Sequence, residues 1–193
     1  VELFNGDVSL GTATADATTG IFSITPTSEL SEGLNSLTVT ATDAINNVSD
    51  ASSALSITVD TTAPTQPVIT TTTTLTSDST PTIAGTAEAG STVTLFVDGV
   101  TTGITTTADG TTGVYTITPA ELSDGDYSLT VTATDAIGNI SDVSSALNLT
   151  VDTTAPSQPS ITTTTSLTND STPAIEGVAG AGSTVTLFVD GVN

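Results

Sequence analysis

Among side chains that do chemistry, this 193-residue chain offers oxygen and little else: 21 Asp and Glu and 47 Thr, with no Lys, Arg, His, Cys, Met or Trp. The net charge is −21, and no two side chains can form a salt bridge. Nucleophilic catalysis by a Ser/His or Cys/His pair lacks its base or its thiol. Phosphate-cradling loops lack their lysine, and structural zinc lacks thiolate and imidazole. DNA, RNA and anionic lipid repel such a chain, because binding phosphate requires Lys or Arg to displace counterions. No apolar run approaches the roughly 18 residues of a membrane helix, so no membrane insertion is expected. The chemistry left is coordination of a hard cation by carboxylate and amide oxygen. Calcium, which accepts about six to eight oxygens in flexible geometry, is the expected ion, ahead of the more demanding magnesium.

Clustered carboxylates need elements that cluster them, and a repeat supplies those. Val59-Asp60-Thr61-Thr62-Ala63-Pro64 recurs as Val151-Asp152-Thr153-Thr154-Ala155-Pro156, a shift of 92 residues. Ala41–Ile45 recurs as Ala133–Ile137, and Ser91–Gly99 as Ser183–Gly191, at the same spacing. The chain thus divides into the C-terminal part of one module (1–60), a complete module (61–152) and the N-terminal part of a third (153–193). Modules cut at both ends lead us to expect a window on a longer array. A period of 92 is too long for a solenoid rung and suits a sandwich domain.

Abundant Val, Ile and Thr suit pleated, half-buried surfaces, and no 3.6-residue period with caps appears. The fold class expected is all-β: tandem immunoglobulin-like β-sandwich modules arranged as an extended rod. The complete module reads as strands A (67–71), B (82–87), C (92–97), D (about 100–107), E (114–118), F and G. The Thr70–Thr74 run is expected to continue strand A along an edge, as exposed strand rather than an ordered ice-binding ladder. Asp98-Gly99 marks a tight hairpin. In strand F, Tyr127, Leu129, Val131 and Ala133 face inward; strand G is Ser-rich, begins at Asp142 (Asp50 in the first module) and turns Leu147, Leu149 and Val151 inward. Tyr115 and Tyr127 are expected at the core or its edge.

Several stretches carry a resemblance. Thr132-Ala133-Thr134-Asp135-Ala136-Ile137-Gly138-Asn139, the Val151–Pro156 punctuation, Thr80–Ser91 and the Val97-Asp98-Gly99 turn resemble bacterial immunoglobulin-like (Big) tandem repeats of giant type I-secreted, RTX and biofilm-associated adhesins. The resemblance covers the whole chain. It implies an extracellular, cell-surface location and a spacer or adhesive role, often with calcium at the joints. Two departures stand out. Asn46-Asn47 replaces Gly138-Asn139 in the first module, and Tyr115 (Phe22 in the first module) stands where many members carry Trp.

Sandwich topology alone places the acidic residues. Alternating strands put the B–C, D–E and F–G loops at one pole, here called leading, and the A–B, C–D and E–F loops at the trailing pole. At the first joint, Asp60 is expected to meet Glu88, Asp109 and Asp135 with Asn139, while Asp7, Glu29 and Glu32 of the first module lie nearby. At the second joint, Asp152 is expected to meet Asp98, Glu121, Asp124 and Asp126. Asp43, the first-module counterpart of Asp135, completes the candidate metal ligands. Asp98-Gly99, Asp109-Gly110 and Asp124-Gly125 read first as turn formers and only second as ligands. Carboxylates clustered within about 4–6 Å of one another repel unless a cation sits among them, and with no Lys or Arg that cation must come from solvent.

The function expected is a structural stalk segment of a large bacterial surface or secreted adhesin, stiffened by calcium at its joints. It would be a cell-adhesion and biofilm component and not an enzyme. Its partners would be neighbouring modules, other copies by strand exchange, and a surface or host ligand held by other regions. Two rival readings are a self-assembling extracellular filament or sheath subunit, and a glycan-binding module, for which the aromatic platform is thin. Because the chain has no Lys or Arg, trypsin should leave it uncut even in strong denaturant. Mass spectrometry of a digest should return the intact chain, and any internal tryptic peptide would contradict this.

Overall fold

The computed structural model describes residues 1–190; the last three residues of the third segment, 191–193, lie outside the described residues. Alternation of apolar and Thr positions produces strands and no helix among the described residues. The middle of the chain forms β5 (Val68–Ile69), β6 (Leu75–Thr76), β7 (Ile83–Thr86), β8 (Thr92–Val97), β9 (Val100–Thr107), β10 (Val114–Ile117), β11 (Gly125–Thr134) and β12 (Leu147–Val151). They make two sheets, in order β10-β7-β5 and β6-β12-β11-β8-β9. One core lies between them, joining Ile83, Tyr115 and Ile117 of the first sheet to Val93, Leu95, Leu129, Val131, Leu149 and Val151 of the second. This is an immunoglobulin-like β-sandwich.

The inward faces follow the sequence. Leu129, Val131 and Ala133 are buried on β11, as are Leu147, Leu149 and Val151 on β12. Two features differ from the expectation. The Thr70–Thr74 run does not simply extend an edge; it carries the chain from one sheet to the other, since β5 pairs antiparallel with β7 and β6 pairs parallel with β12. At the crossing the Thr71 hydroxyl accepts the Ala84 N–H at 2.7 Å, so the amide of β7 stays satisfied where its neighbour departs. As the Asp98-Gly99 hairpin predicts, strand D is β9, the partner of β8, and it extends the five-stranded sheet. The Ser-rich stretch before β12 is irregular, because the Ser141 and Ser144 hydroxyls accept the Ala133 and Val131 N–H groups at 2.9 and 3.0 Å and stand in for a backbone ladder.

The first segment contains β1 (Glu2–Asn5), β2 (Val8–Thr12), β3 (Gly33–Thr40) and β4 (Leu55–Val59), a single sheet in order β2-β1-β3-β4. It matches the β9, β8, β11 and β12 half of the sandwich. Residues 21–24, the counterparts of β10, form no strand, since the strand they would pair with is missing from this segment. Near the other end, β13 (Ser160–Ile161) pairs with β14 (Gly177–Val178).

Tyr115 is buried, and its hydroxyl donates to Val68 O at 3.2 Å. Burial pushes its pKa up to about 12. Its ring lies over Gly85, where an added Cβ would stand 2.1 Å from Val68 O and 2.3 Å from the Tyr115 Oη. Tyr127 donates to Ser123 O at 2.9 Å, the backbone link of a tyrosine corner. Its first-module counterpart, Asn35, reaches Ser31 O at 2.7 Å with its amide instead. Gly85→Ala should destabilise the complete module by roughly 1–3 kcal/mol, because a backbone oxygen cannot step aside. Gly110→Ala, in open space, should stay within about 0.5 kcal/mol of wild type. Urea unfolding followed by tyrosine fluorescence measures both.

Candidate functional site: the inter-module joints

At the leading pole, Asp60 follows β4, Glu88 sits on the turn from β7 to β8, and Asp135 follows β11. Together they line one depression of about 390 Å³. Asp135 organises the loop after β11. Its Oδ1 accepts the Ile137, Gly138 and Asn139 N–H groups at 3.0, 2.7 and 2.9 Å, and its Oδ2 accepts the Asn139 amide at 2.7 Å. The same Asn139 Nδ2 donates to Asp60 O at 3.1 Å and ties the loop to the linker. Burial raises the Asp135 pKa, but the donors of Asn139, Ile137 and Gly138 together outweigh it and hold the carboxyl below its ordinary value.

Asp43 repeats the arrangement in the first module, accepting the Ile45 and Asn47 N–H groups at 3.0 and 2.8 Å and the Asn47 amide at 2.8 Å. The backbone N–H and side chain of Asn47 lower its pKa. Asn46 has φ 69° where Gly138 has φ 102°. The loop therefore requires left-handed backbone, which Asn tolerates, and does not require Gly.

Asp109 shares the leading pole but not the depression. The loop is held there by Gly90 N–H donating to Ala108 O and Ala108 N–H to Ser91 O, at 3.2 and 2.9 Å. The Asp109 carboxylate turns into its own loop, taking the Thr111 and Thr112 N–H groups and the Thr112 hydroxyl at 3.1, 2.8 and 2.8 Å. The N–H and hydroxyl of Thr112, then the N–H of Thr111, lower its pKa. Asp16 of the first module does the same with Thr18 and Thr19.

The trailing pole holds a feature that sequence reasoning missed. Asp124 Oδ1 accepts both the N–H and the hydroxyl of Thr153, at 2.8 and 2.6 Å, and Oδ2 accepts the Thr154 hydroxyl at 2.5 Å. Asp152 Oδ1 meanwhile accepts the Thr154 N–H at 3.1 Å. The first joint repeats it: Glu32 takes the N–H and hydroxyl of Thr61 at 3.1 and 2.8 Å and the Thr62 hydroxyl at 3.4 Å, while Asp60 Oδ1 takes the Thr62 N–H at 3.1 Å. In both joints an acidic residue preceding strand F clamps the two threonines that follow the linker aspartate. The signal was present as Glu32-Gly33 and Asp124-Gly125, 92 residues apart, each aligned with an Asp-Thr-Thr linker.

The donors of Thr61, side chain first and then backbone, lower the Glu32 pKa. The hydroxyls of Thr153 and Thr154, followed by the Thr153 N–H, lower that of Asp124 to about 2. The other trailing-pole candidates have separate partners. Asp126 accepts the Thr150 hydroxyl at 2.6 Å, and Asp98, with φ 51° in its turn, accepts the Ser128 N–H at 2.8 Å. Asp98 and Asp126 line a common shallow depression that the linker aspartate Asp152 does not join.

As a donor set, Asp60, Glu88 and Asp135 suit a hard cation. Their geometry is not a preformed coordination shell: among the described residues, no group of three acidic side chains is placed to hold a metal ion. Backbone N–H groups meet the Asp60 and Asp135 carboxylates instead, joined at Asp135 by the Asn139 amide.

Two copies of one sandwich pattern joined by a repeated linker match a family model, the bacterial Ig-like domain, over residues 1–61 and 68–153. The chain belongs to the bacterial Ig-like domain family. No curated protein matches it. Among solved structures, this bacterial Ig-like chain is similar to the fibronectin(III)-like modules of CbhA from Clostridium thermocellum, at 18% identity and a TM-score of 0.43, over 78% of this chain and 76% of that one. A biofilm-associated protein, in its BSP domain, is 25% identical with a TM-score of 0.38, over 80% of this chain and 25% of that one. The D00-D0 domain of intimin is 20% identical with a TM-score of 0.33, over 63% of this chain and 66% of that one.

A carboxyl whose pKa is lower in the folded state stabilises that state above its ordinary pKa, and the effect disappears as the pH falls through the folded value. For Asp124 that window runs from the ordinary 3.8 down to about 2. NMR titration should find Asp124 near the bottom of the window in the wild type. In Thr153→Val with Thr154→Val it should move toward 3.8. An unchanged Asp124 titration in the double variant would show that the clamp does not form in solution.

Proposed function

We propose that this bacterial Ig-like chain is a stalk segment of a bacterial surface or secreted adhesin, holding a binding region at a fixed distance from the cell. The observation that carries the reading is the duplicated joint clamp, Glu32 on Thr61-Thr62 and Asp124 on Thr153-Thr154. A joint that bonds the start of each linker to the preceding module restricts the swing between neighbours, which a spacer requires and a loose tether does not. The bacterial Ig-like family supports an extracellular setting. Absence of Lys, Arg, His and Cys argues against catalysis as the role. The strong negative charge keeps neighbouring stalks soluble and apart.

Calcium belongs to the finer part of this proposal. Held by Asp60, Glu88 and Asp135 at the leading pole, it would bridge linker and module and stiffen the joint further, with an affinity of roughly 10⁻⁴–10⁻³ M. Side-chain movement would have to bring the three carboxylates onto one ion. Type I secretion belongs to the same proposal and rests on the resemblance of the repeat alone.

Small-angle scattering of three tandem copies of residues 61–152 tests both parts. Asp124→Ala should shorten the maximum dimension, because each copy's Asp124 clamps the Thr61-Thr62 of the next. An unchanged dimension would remove the clamp as the source of stiffness. Calcium should lengthen the particle and chelator reverse it, with Asp135→Ala plus Asp152→Ala abolishing the response. A particle indifferent to calcium and chelator would sink the ion and leave the clamp standing.

A further inference from the structure

The crossing at Thr70–Thr74 places the opening stretch of the complete module on both sheets in turn. On the three-stranded sheet, Val68 and Ile69 of β5 pair with Thr86 and Gly85 of β7. The Thr70 and Thr71 N–H groups then share Ala84 O at 2.8 and 3.3 Å. On the five-stranded sheet, β6 lies beside β12, and the Thr150 and Asp152 N–H groups donate to Thr74 O and Thr76 O at 2.8 and 2.9 Å. This second contact is parallel, whereas every other strand pair of the complete module is antiparallel.

Direction gives that contact a mechanical meaning. The chain enters the module at the leading pole and leaves it at the trailing pole, and β6 and β12 both run from the first toward the second. Tension along the chain therefore draws β6 backward and β12 forward, so the two strands are driven lengthwise past each other. Hydrogen bonds between strands lie across the strand direction, and a lengthwise pull loads them together instead of in turn. The opposite side of β12 behaves differently. There Gly125 faces Val151 and Leu129 faces Leu147 in an antiparallel pair. Pulled apart from the trailing pole, where Gly125 and Val151 lie, such a pair opens one rung at a time.

We propose that the complete module is a load-bearing unit in which the parallel contact of β6 with β12 is a shear catch, holding the sandwich closed when the chain is pulled from its two ends. The catch sits in series with the β5 contact. Tension from the linker first meets β5, anchored by the buried Pro67 and by the bonds around Ala84, where the Thr71 hydroxyl also accepts the Ala84 N–H at 2.7 Å. If β5 slips, the load passes through residues 70–74 to β6 and stops at β12. The strands β7 to β11 lie between the two halves of the catch in sequence. They are therefore shielded until β6 slides off, and the core they carry, with Ile83, Leu95, Leu129 and Val131, stays closed. Strength against pulling then comes from the direction in which a few backbone bonds are loaded, not from their number. This goes beyond the stalk reading and does not rest on it: a module can bear load whether or not its joints are stiff.

Optical-tweezers unfolding of the 193-residue chain tests the proposal, because forced unfolding reads the barrier along the direction pulled. The chain has no Cys, so a pair of introduced thiols fixes the two points of attachment. Ala63→Cys with Ser157→Cys, both exposed, pulls the complete module end to end and loads β6 against β12 in shear. Ser123→Cys with Ser157→Cys, again at exposed positions, peels β12 from β11 in the same folded molecule. The end-to-end pair should unfold at a several-fold higher force, and release of the residues between Thr76 and Thr150 should lengthen the chain by about 250 Å. Asp152→Pro deletes one N–H of the catch and should lower the end-to-end force while leaving the peeling force unchanged. Asp152→Ala keeps that N–H and should leave both forces as they are. Equal forces in the two directions would overturn the proposal, using variants in which every bond of the catch is intact. An end-to-end force for Asp152→Pro equal to that of Asp152→Ala would overturn it as well.

Discussion

Negative charge without any side-chain counter-charge is the constraint on which the rest of this structure depends. A carboxylate can be stabilised by a cation or by hydrogen-bond donors, and here the polypeptide supplies only donors. Threonine and backbone N–H groups fill the role at the turns and joints. Thr18 and Thr19 face Asp16, Thr111 and Thr112 face Asp109, and Thr153 and Thr154 face Asp124. The high threonine content thus serves two ends at once. Its branched β-carbon suits the strands, and its hydroxyl answers the acidic loops.

The joints show how that local chemistry becomes mechanical. An acidic residue at the start of strand F lies at the pole from which the linker leaves, so its oxygens face the first residues of the linker. Because the linker begins Asp-Thr-Thr in both copies, the carboxylate meets one backbone N–H and two hydroxyls. The linker aspartate caps the following turn with its own Oδ1. Asn139 completes the arrangement from the next module by holding Asp60 O. The first joint is therefore bonded from both sides, with no requirement for a salt bridge.

The incomplete segments show the reverse dependence, of local structure on tertiary partners. Ile21-Phe22-Ser23-Ile24 has the same apolar alternation as Val114-Tyr115-Thr116-Ile117, yet only the latter is a strand. The difference is β7, which supplies the hydrogen-bonding edge for β10 and has no counterpart in the first segment. Phe22 stays exposed for the same reason, while Tyr115 is buried over Gly85. A strand of four residues has too few local contacts to persist without a neighbour.

Much of the fold was legible without coordinates. The 92-residue period, the β class, the inward faces of β11 and β12 and the pole shared by Asp60, Glu88 and Asp135 all follow from alternation and strand count. Such patterns are local, and alternating strand direction converts them directly into position. What the sequence left open was partner choice. It did not show that Thr70–Thr74 crosses between sheets, or that Ser141 and Ser144 hydroxyls replace a ladder. Asp109 keeps to its own loop as the turn-former reading has it, but nothing in the sequence showed that Asp124, read the same way, clamps Thr153 and Thr154. The sequence alone determined that acidic groups gather at the joints, because module length and composition place them there. Only the tertiary structure decided which donor each oxygen meets, because hydrogen bonds depend on distances of a few tenths of an ångström that no repeat pattern encodes.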